Sequence, residues 1–558
     1  MRKFLKYWLA AVFAVVYALA ALSQPNNDSL NMRSVLHYPQ GVWGTGASNI
    51  NNGLWGYNDT ATGKEYALAG NYRGLLITDI TTPGQPVNKL WVPGVYSTWR
   101  EVRVKGHYAY MVHDFVATGS PVSDEGLLIV DLDSLNGTPR YKKMRIPVPK
   151  PTGGFDTVKR AHTLFADEKG FLYLFGSNIG PGGAVILNIG TDPWNPTVVG
   201  HYNSNYIHDG YVRNDTLYAA SLWNGIVVVN CVLKSNPTVV KSFQTPNQFA
   251  HNCWLSDDGR VLYTTDEQAN AFITAYDLSD WNNVTELWRY QVQPGSGIIP
   301  HNAHVKGKHL VTSYYTFGVI AQDIECPEWP VLVGYYDTSP FSGGNFHGAW
   351  SVYPYGNSGR ILVNDMETGL WVVEEEWPDV TRFGGWAVID WNQQGGPYMP
   401  WSQAGGISGP LDYVWKSNGD TLRVEADGSF RYHRFGPIND TLVGINPWGQ
   451  PVELPVIKSG GTCPQDTLAV PQFWGLPEGG MPAVQVRMLP GAWGLSENGT
   501  AVSALRYALV DALGRTVRSV SVAGSTGETI AWPEVPGWYT LRVETTDGRL
   551  LHVRALRP

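Results

Sequence analysis

The stretch Gly225-Ile-Val-Val-Val-Asn230, with His208-Asp-Gly210 ahead of it, decides how the chain is read. A glycine opens it, four β-branched residues follow and an amide closes it, so it reads as a strand entered through a turn. The same register returns as Gly74-Leu-Leu-Ile-Thr-Asp79, Gly126-Leu-Leu-Ile-Val-Asp131, Gly183-Ala-Val-Ile-Leu-Asn188, Gly318-Val-Ile-Ala-Gln-Asp323 and Gly369-Leu-Trp-Val-Val-Glu374. Phe272-Ile-Thr-Ala-Tyr-Asp277 repeats it without the glycine. The closing residues lie 42 to 57 positions apart, which makes seven units over about 33–377.

Each unit holds more than one strand. Apolar segments such as His107-Tyr-Ala-Tyr-Met-Val112 and Thr216-Leu-Tyr-Ala-Ala220 precede the glycine, and hairpin signals such as Lys105-Gly106 and Asn214-Asp215 introduce them. Pro196-Thr-Val-Val-Gly-His201 and Pro237-Thr-Val-Val-Lys-Ser242 are fourth segments behind the closing residue. Four strands in a unit of this length is a propeller blade, and the fold class is all-β: a seven-bladed β-propeller, a β spacer region and a small C-terminal β-sandwich. Blades cannot bury both faces alone, so the ring must close. Arg33-Ser-Val-Leu-His-Tyr38 resembles the fourth segments and is expected to be the outer strand of the seventh blade; the rival is Trp377-Pro-Asp-Val-Thr-Arg382.

With those residues in view, Gly126-Leu-Leu-Ile-Val-Asp131 looks like an LVIVD repeat, and 33–377 resembles the propeller of the choice-of-anchor B family of exported bacterial proteins. Trp99-Arg-Glu-Val-Arg-Val104, His251-Asn-Cys-Trp254, His301-Asn-Ala-His304 and His347-Gly-Ala-Trp350 support the resemblance. It implies a fold and an exported location, and no reaction.

Composition agrees. Aromatics are 12% of the 558 residues, with 62 Gly and 37 Pro, a mix that suits short strands and turns. A net charge of -8 argues against a nucleic-acid partner, since phosphate binding wants a basic face. Residues 1–23 read as a signal peptide: Met1-Arg-Lys-Phe-Leu-Lys6, an apolar run from Tyr7 to Leu22, and small residues Ala21 and Ser23 ahead of cleavage before Gln24. An uncleaved anchor helix is the alternative. The cysteines Cys231, Cys253, Cys326 and Cys463 allow three pairings or free thiols, and without a C-x-x-C they give no sign of a thiolate zinc site.

Beyond Glu374 the periodicity ends. Residues 378–478 carry Gly/Pro clusters such as Gln393-Gln-Gly-Gly-Pro397 and read either as a small β module or as a semi-ordered spacer. Residues 480–558 read as a compact antiparallel sandwich. The turn Asp511-Ala-Leu-Gly-Arg515, the strand Pro536-Gly-Trp-Tyr-Thr-Leu-Arg-Val543 and a basic last strand resemble the C-terminal sorting domain of the type IX secretion system of Bacteroidota. The ending Arg557-Pro558 departs from that domain's usual lysine-rich finish. The resemblance implies the secretion machinery as a partner and attachment at the outer cell surface; a carbohydrate- or protein-binding sandwich is the alternative.

Aligning the units places His162, His208, His251, His301 and His347 at the start of the innermost strand, with Arg100 and Asn52 in the same place in units two and one. They should converge on the channel mouth. Neighbouring neutral imidazoles there suit a divalent transition metal, with His208, His251, His301 and His347 as candidate ligands. Protonated, the same histidines with Arg100 would hold an anion near pH 6 to 7. Asp209, Asn252, Asn302, His304 and Glu101 sit beside them as orienting or acid–base groups. A shared histidine also serves purely to hydrogen-bond neighbouring blades. Trp254 and Trp350 are expected to pack between blades. The leading expectation is a non-enzymatic exported propeller that binds a ligand or partner at its mouth; a metal-dependent hydrolase or lyase and a structural surface protein are the alternatives.

Overall fold

The computed structural model describes residues 28–39, 43, 50–150 and 152–390, then discontinuous stretches between 398 and 557. The proposed signal peptide lies outside the described residues, and among those described no helix is long and apolar enough to cross a membrane.

The protein is all-β. From 51 to 375 it forms seven successive antiparallel sheets, over 51–93, 100–144, 163–202, 209–243, 250–290, 303–336 and 349–375, whose strands pair in chain order. The recurring glycine has two physical reasons. At Gly225 the backbone is left-handed (φ 71°), and a Cβ there would meet the Phe243 carbonyl of the fourth strand at 2.3 Å. Gly126 repeats both features against the Met144 carbonyl. The closing acids cap turns: Asp79 accepts from the Thr81 amide, Asp277 from the Ser279 amide and Asp323 from the Glu325 amide. A register shift between third and fourth strands recurs, as at Val228/Val229 and Ala321/Gln322, and bends the outer strand.

Apolar side chains pack between consecutive sheets. Val112 and Ile129 meet Leu164 and Val185, and Tyr173 and Ile186 meet Leu217 and Val227. One cluster joins the seventh sheet to the first, with Leu362, Leu370 and Val372 against Leu54, Ala67 and Leu76. This cyclic adjacency is propeller-like. The N-terminal segment serves two sheets: Ser29–Leu30 adds a fifth strand to the sixth, and Met32–Tyr38 pairs with Gly369–Glu375 as outer strand of the seventh. The rival segment goes elsewhere. Val380–Asp390 enters another sheet, and Arg382 is buried with its guanidinium 2.6 Å from Asp323 Oδ1.

One feature was not anticipated: a hairpin of Ile146–Pro149 and Phe155–Val158 is inserted between the second and third sheets. Of the cysteines, Cys326 and Cys463 form a disulfide while Cys231 and Cys253 are free and buried, so both readings hold, each for one pair. The chain divides into two compact units: the one carrying the seven sheets runs to Arg382 and takes in His433–Ile438 and Lys458–Pro464. In the second, strands between 411 and 457 form sheet structure with Tyr413, Trp415, Leu422, Val424 and Phe430 buried. Further on, Ala504–Asp511, Thr516–Ser521, Gly537–Thr545 and Leu550–Arg557 form a four-stranded antiparallel sheet. The turn residues 512–515 lie outside the described residues.

Candidate imidazole site

The innermost strands of the third to sixth sheets each carry a histidine at or just ahead of their first residues, and the repeat brings these four side chains together. Ring centroids of His162 and His208 are 4.1 Å apart, of His208 and His251 4.4 Å, and of His251 and His301 4.3 Å. Three are buried: His208 is 8% exposed, His251 4% and His301 2%.

The backbone of the next sheet orients two of the rings, His208 and His301. His208 Nδ1 lies 3.2 Å from the His251 carbonyl, His301 Nδ1 bonds the Trp350 carbonyl, and His251 Nδ1 faces the His301 carbonyl without a closed hydrogen bond. A carbonyl only accepts, so the bonded Nδ1 atoms carry protons and leave Nε2 with its lone pair. Burial, followed by the neighbouring imidazoles, holds His208 well below the usual range. The same causes push His251 and His301 down to about 3. These three rings are therefore neutral at pH 6 to 7. Burial thus works against the cationic form that the anion-holding alternative needs at these rings.

The carboxylates come from loops between second and third strands. Asp114 Oδ2 is 2.9 Å from His162 Nδ1. Glu267 stands against two rings, with Oε2 3.4 Å from His251 Nε2 and Oε1 3.5 Å from His301 Nε2. The Tyr315 hydroxyl donates to Glu267 Oε1 at 2.6 Å. Sequence reasoning passed over Asp114, Glu267 and Tyr315, all of which lie in loops that follow a second strand.

His347 is not part of the array. Its side chain is 46% exposed, bonds Glu367 Oε1 at 2.6 Å and packs on Phe341. The register gives the reason. His251 occupies a bulge between Ala250 and Asn252, which pair with Asp266 and Thr265; Trp350 occupies the matching bulge between Ala349 and Ser351, which pair with Asp365 and Asn364. Trp350 thus takes the ring position and meets His301 edge-on at 5.0 Å, so it is a wall of the site and not only packing between sheets. Trp254 does pack, against Phe165 and Tyr211.

The other candidates hold the frame. Arg100 lines the small cavity beside the rings together with Trp99, Thr163 and Asn302, but its guanidinium is committed to the carbonyls of Asn71 and Val95. Asn52 donates to the Thr98 carbonyl. Asp209 accepts from Asn252 at 2.8 Å, and Asn252 accepts from the Ala303 amide, linking three consecutive sheets. Glu101 is paired with Arg103 at 2.5 Å. His304 belongs to an aromatic cluster with Trp254 and Trp55, and burial and the Arg103 charge keep it neutral. Cys326 and Cys463, close to Glu328, are joined to each other and offer no thiolate.

No protein-family model matches this chain, and none of the curated proteins does.

Proposed function

We propose that this chain is an exported protein whose seven sheets close into a seven-bladed propeller, and that it acts by binding a ligand at the imidazole array rather than by turnover. The observation that carries the binding reading is the run of four imidazoles at 4.1 to 4.4 Å, two of them fixed against backbone carbonyls of the next sheet. Hydrogen bonding between sheets needs one polar atom per position. It does not need ring edges left with open lone pairs and faced by a carboxylate.

Export is supported by the basic, apolar and small-residue segments of 1–23 and by a disulfide, which persists in oxidising surroundings. Resemblance of 480–558 to a type IX sorting domain, read as a β-sandwich, supports surface delivery through the secretion machinery. Closure of the ring is supported by the strand Met32–Tyr38 and by the cluster joining first and seventh sheets.

Native mass spectrometry of the full chain recovered from the cell surface tests both parts. The expected result is a mature N-terminus at Gln24 and a mass above that of the polypeptide, lost in the double variant His208→Gln, His301→Gln. A bare polypeptide mass in the wild type overturns the binding reading. Retention inside the cell overturns the export reading.

A further inference from the structure

We infer that His208, His251 and Glu267 form a binding site for one late first-row divalent metal ion, Zn²⁺ foremost, with His301 at its edge. This rests on the reading of the imidazole array as the binding site and names what it takes.

The distances carry the inference. Glu267 is 3.4 Å from His251 Nε2 and 3.5 Å from His301 Nε2, beyond ordinary N–H···O hydrogen bonds of about 2.7–3.2 Å. They equal the edge of a ligand tetrahedron: bonds of about 2.0–2.2 Å to nitrogen and carboxylate oxygen place neighbouring donors about 3.4 Å apart. One donor atom from each of His208, His251 and Glu267 lies within 4.8 Å of the other two. The His251–Glu267 edge already has that length, and His208, within 4.8 Å, must approach for the three to surround one ion.

The surroundings are those of a metal site. His208 is tied through Nδ1 to a backbone carbonyl, which turns Nε2 outward as the donor, and the Tyr315 hydroxyl steadies Glu267. The Nδ1 nitrogen of His251 has no closed bond, and the residue is 4% exposed. Binding an ion through Nε2 makes the Nδ1 proton of that ring a better donor to the His301 carbonyl. Two neutral imidazoles and one carboxylate form a mixed nitrogen–oxygen set that suits Zn²⁺ and its neighbours better than Mg²⁺ or Ca²⁺, which prefer oxygen alone. Three protein ligands leave a fourth position for a ligand atom from outside.

The test uses the full chain, stripped with a chelator and re-equilibrated with Zn²⁺ or Co²⁺. We expect one ion per chain, with the intense visible bands of four-coordinate Co²⁺. Glu267→Gln and His208→Gln should each weaken Zn²⁺ binding by more than the roughly 10- to 100-fold typical of losing an outer partner, while Tyr315→Phe falls within that range. His347→Ala should leave affinity unchanged. Thermal melting checks that each variant folds, and if Glu267→Gln does not, the Co²⁺ spectrum of the wild type decides. No ion in the wild type, a six-coordinate Co²⁺ spectrum, or unchanged affinity in folded Glu267→Gln overturns the site. A mass excess in native spectrometry without metal would leave the binding reading standing and sink this inference.

Discussion

Trp350 fills in the seventh sheet the bulge that His251 fills in the fifth, and its indole closes the end of the imidazole array against His301. The array therefore runs over four sheets and stops at an aromatic wall.

Removing that wall tests it. Trp350 is 8% exposed and packs with Ile299, Tyr315 and Met366, so Trp350→Ala should cost about 3 kcal/mol of stability through the cavity it leaves. Denaturant unfolding measures the loss; a change near zero would show that the indole is not packed as described.

Arg382 and Asp323 are both fully buried and 2.6 Å apart, with a second guanidinium bond to the Asp323 carbonyl. Breaking one side of such a pair leaves a charge in a dry site, so Arg382→Met should destabilise by about 3 to 5 kcal/mol. The double variant Arg382→Met, Asp323→Leu should recover most of that. Equal losses in both would mean the guanidinium acts by packing alone.

Only one cysteine pair should be oxidised. Unreduced peptide mapping is expected to link Cys326 to Cys463, and Cys231 and Cys253 should alkylate only after unfolding, because both thiols are buried. Burial pushes the Cys231 thiol up to about 11, which further slows its reaction in the native state. Rapid alkylation of either thiol would contradict their placement.

Asp365 gives the pH dependence a sign. Burial, followed by the Glu367 charge, pushes its carboxyl up from 3.8 to about 7. Between those values the native state keeps a proton that the unfolded chain has lost. Its contribution is therefore full below 3.8 and lost as pH rises through about 7. Asp365→Asn should flatten this component. The readout is the difference in unfolding midpoint between wild type and variant from pH 5 to 8; a pH-independent difference would refute it.

How much of this was legible in sequence depends on what each residue type must do. Gly225 and Gly126 announce their strands because only glycine tolerates both the left-handed backbone and the carbonyl beside it. The four histidines were legible because they follow that register. His347 misled because a bulge is a property of pairing, and nothing in His347-Gly-Ala-Trp350 says which residue it extrudes. Glu267 and Tyr315 stand in loops, where apolar periodicity gives no register at all. The hairpin at Ile146–Pro149 was hidden by its prolines, which read as coil although they fit a two-stranded ribbon.

The strand Met32–Tyr38 has a consequence for how the molecule is made. It precedes the first of the seven sheets in the chain, yet its partner Gly369–Glu375 is more than three hundred residues behind it. Native pairing of this strand must therefore wait for a strand of the seventh sheet, a contact of very long range and correspondingly slow. Until then the seventh sheet lacks its outer strand and keeps an open edge.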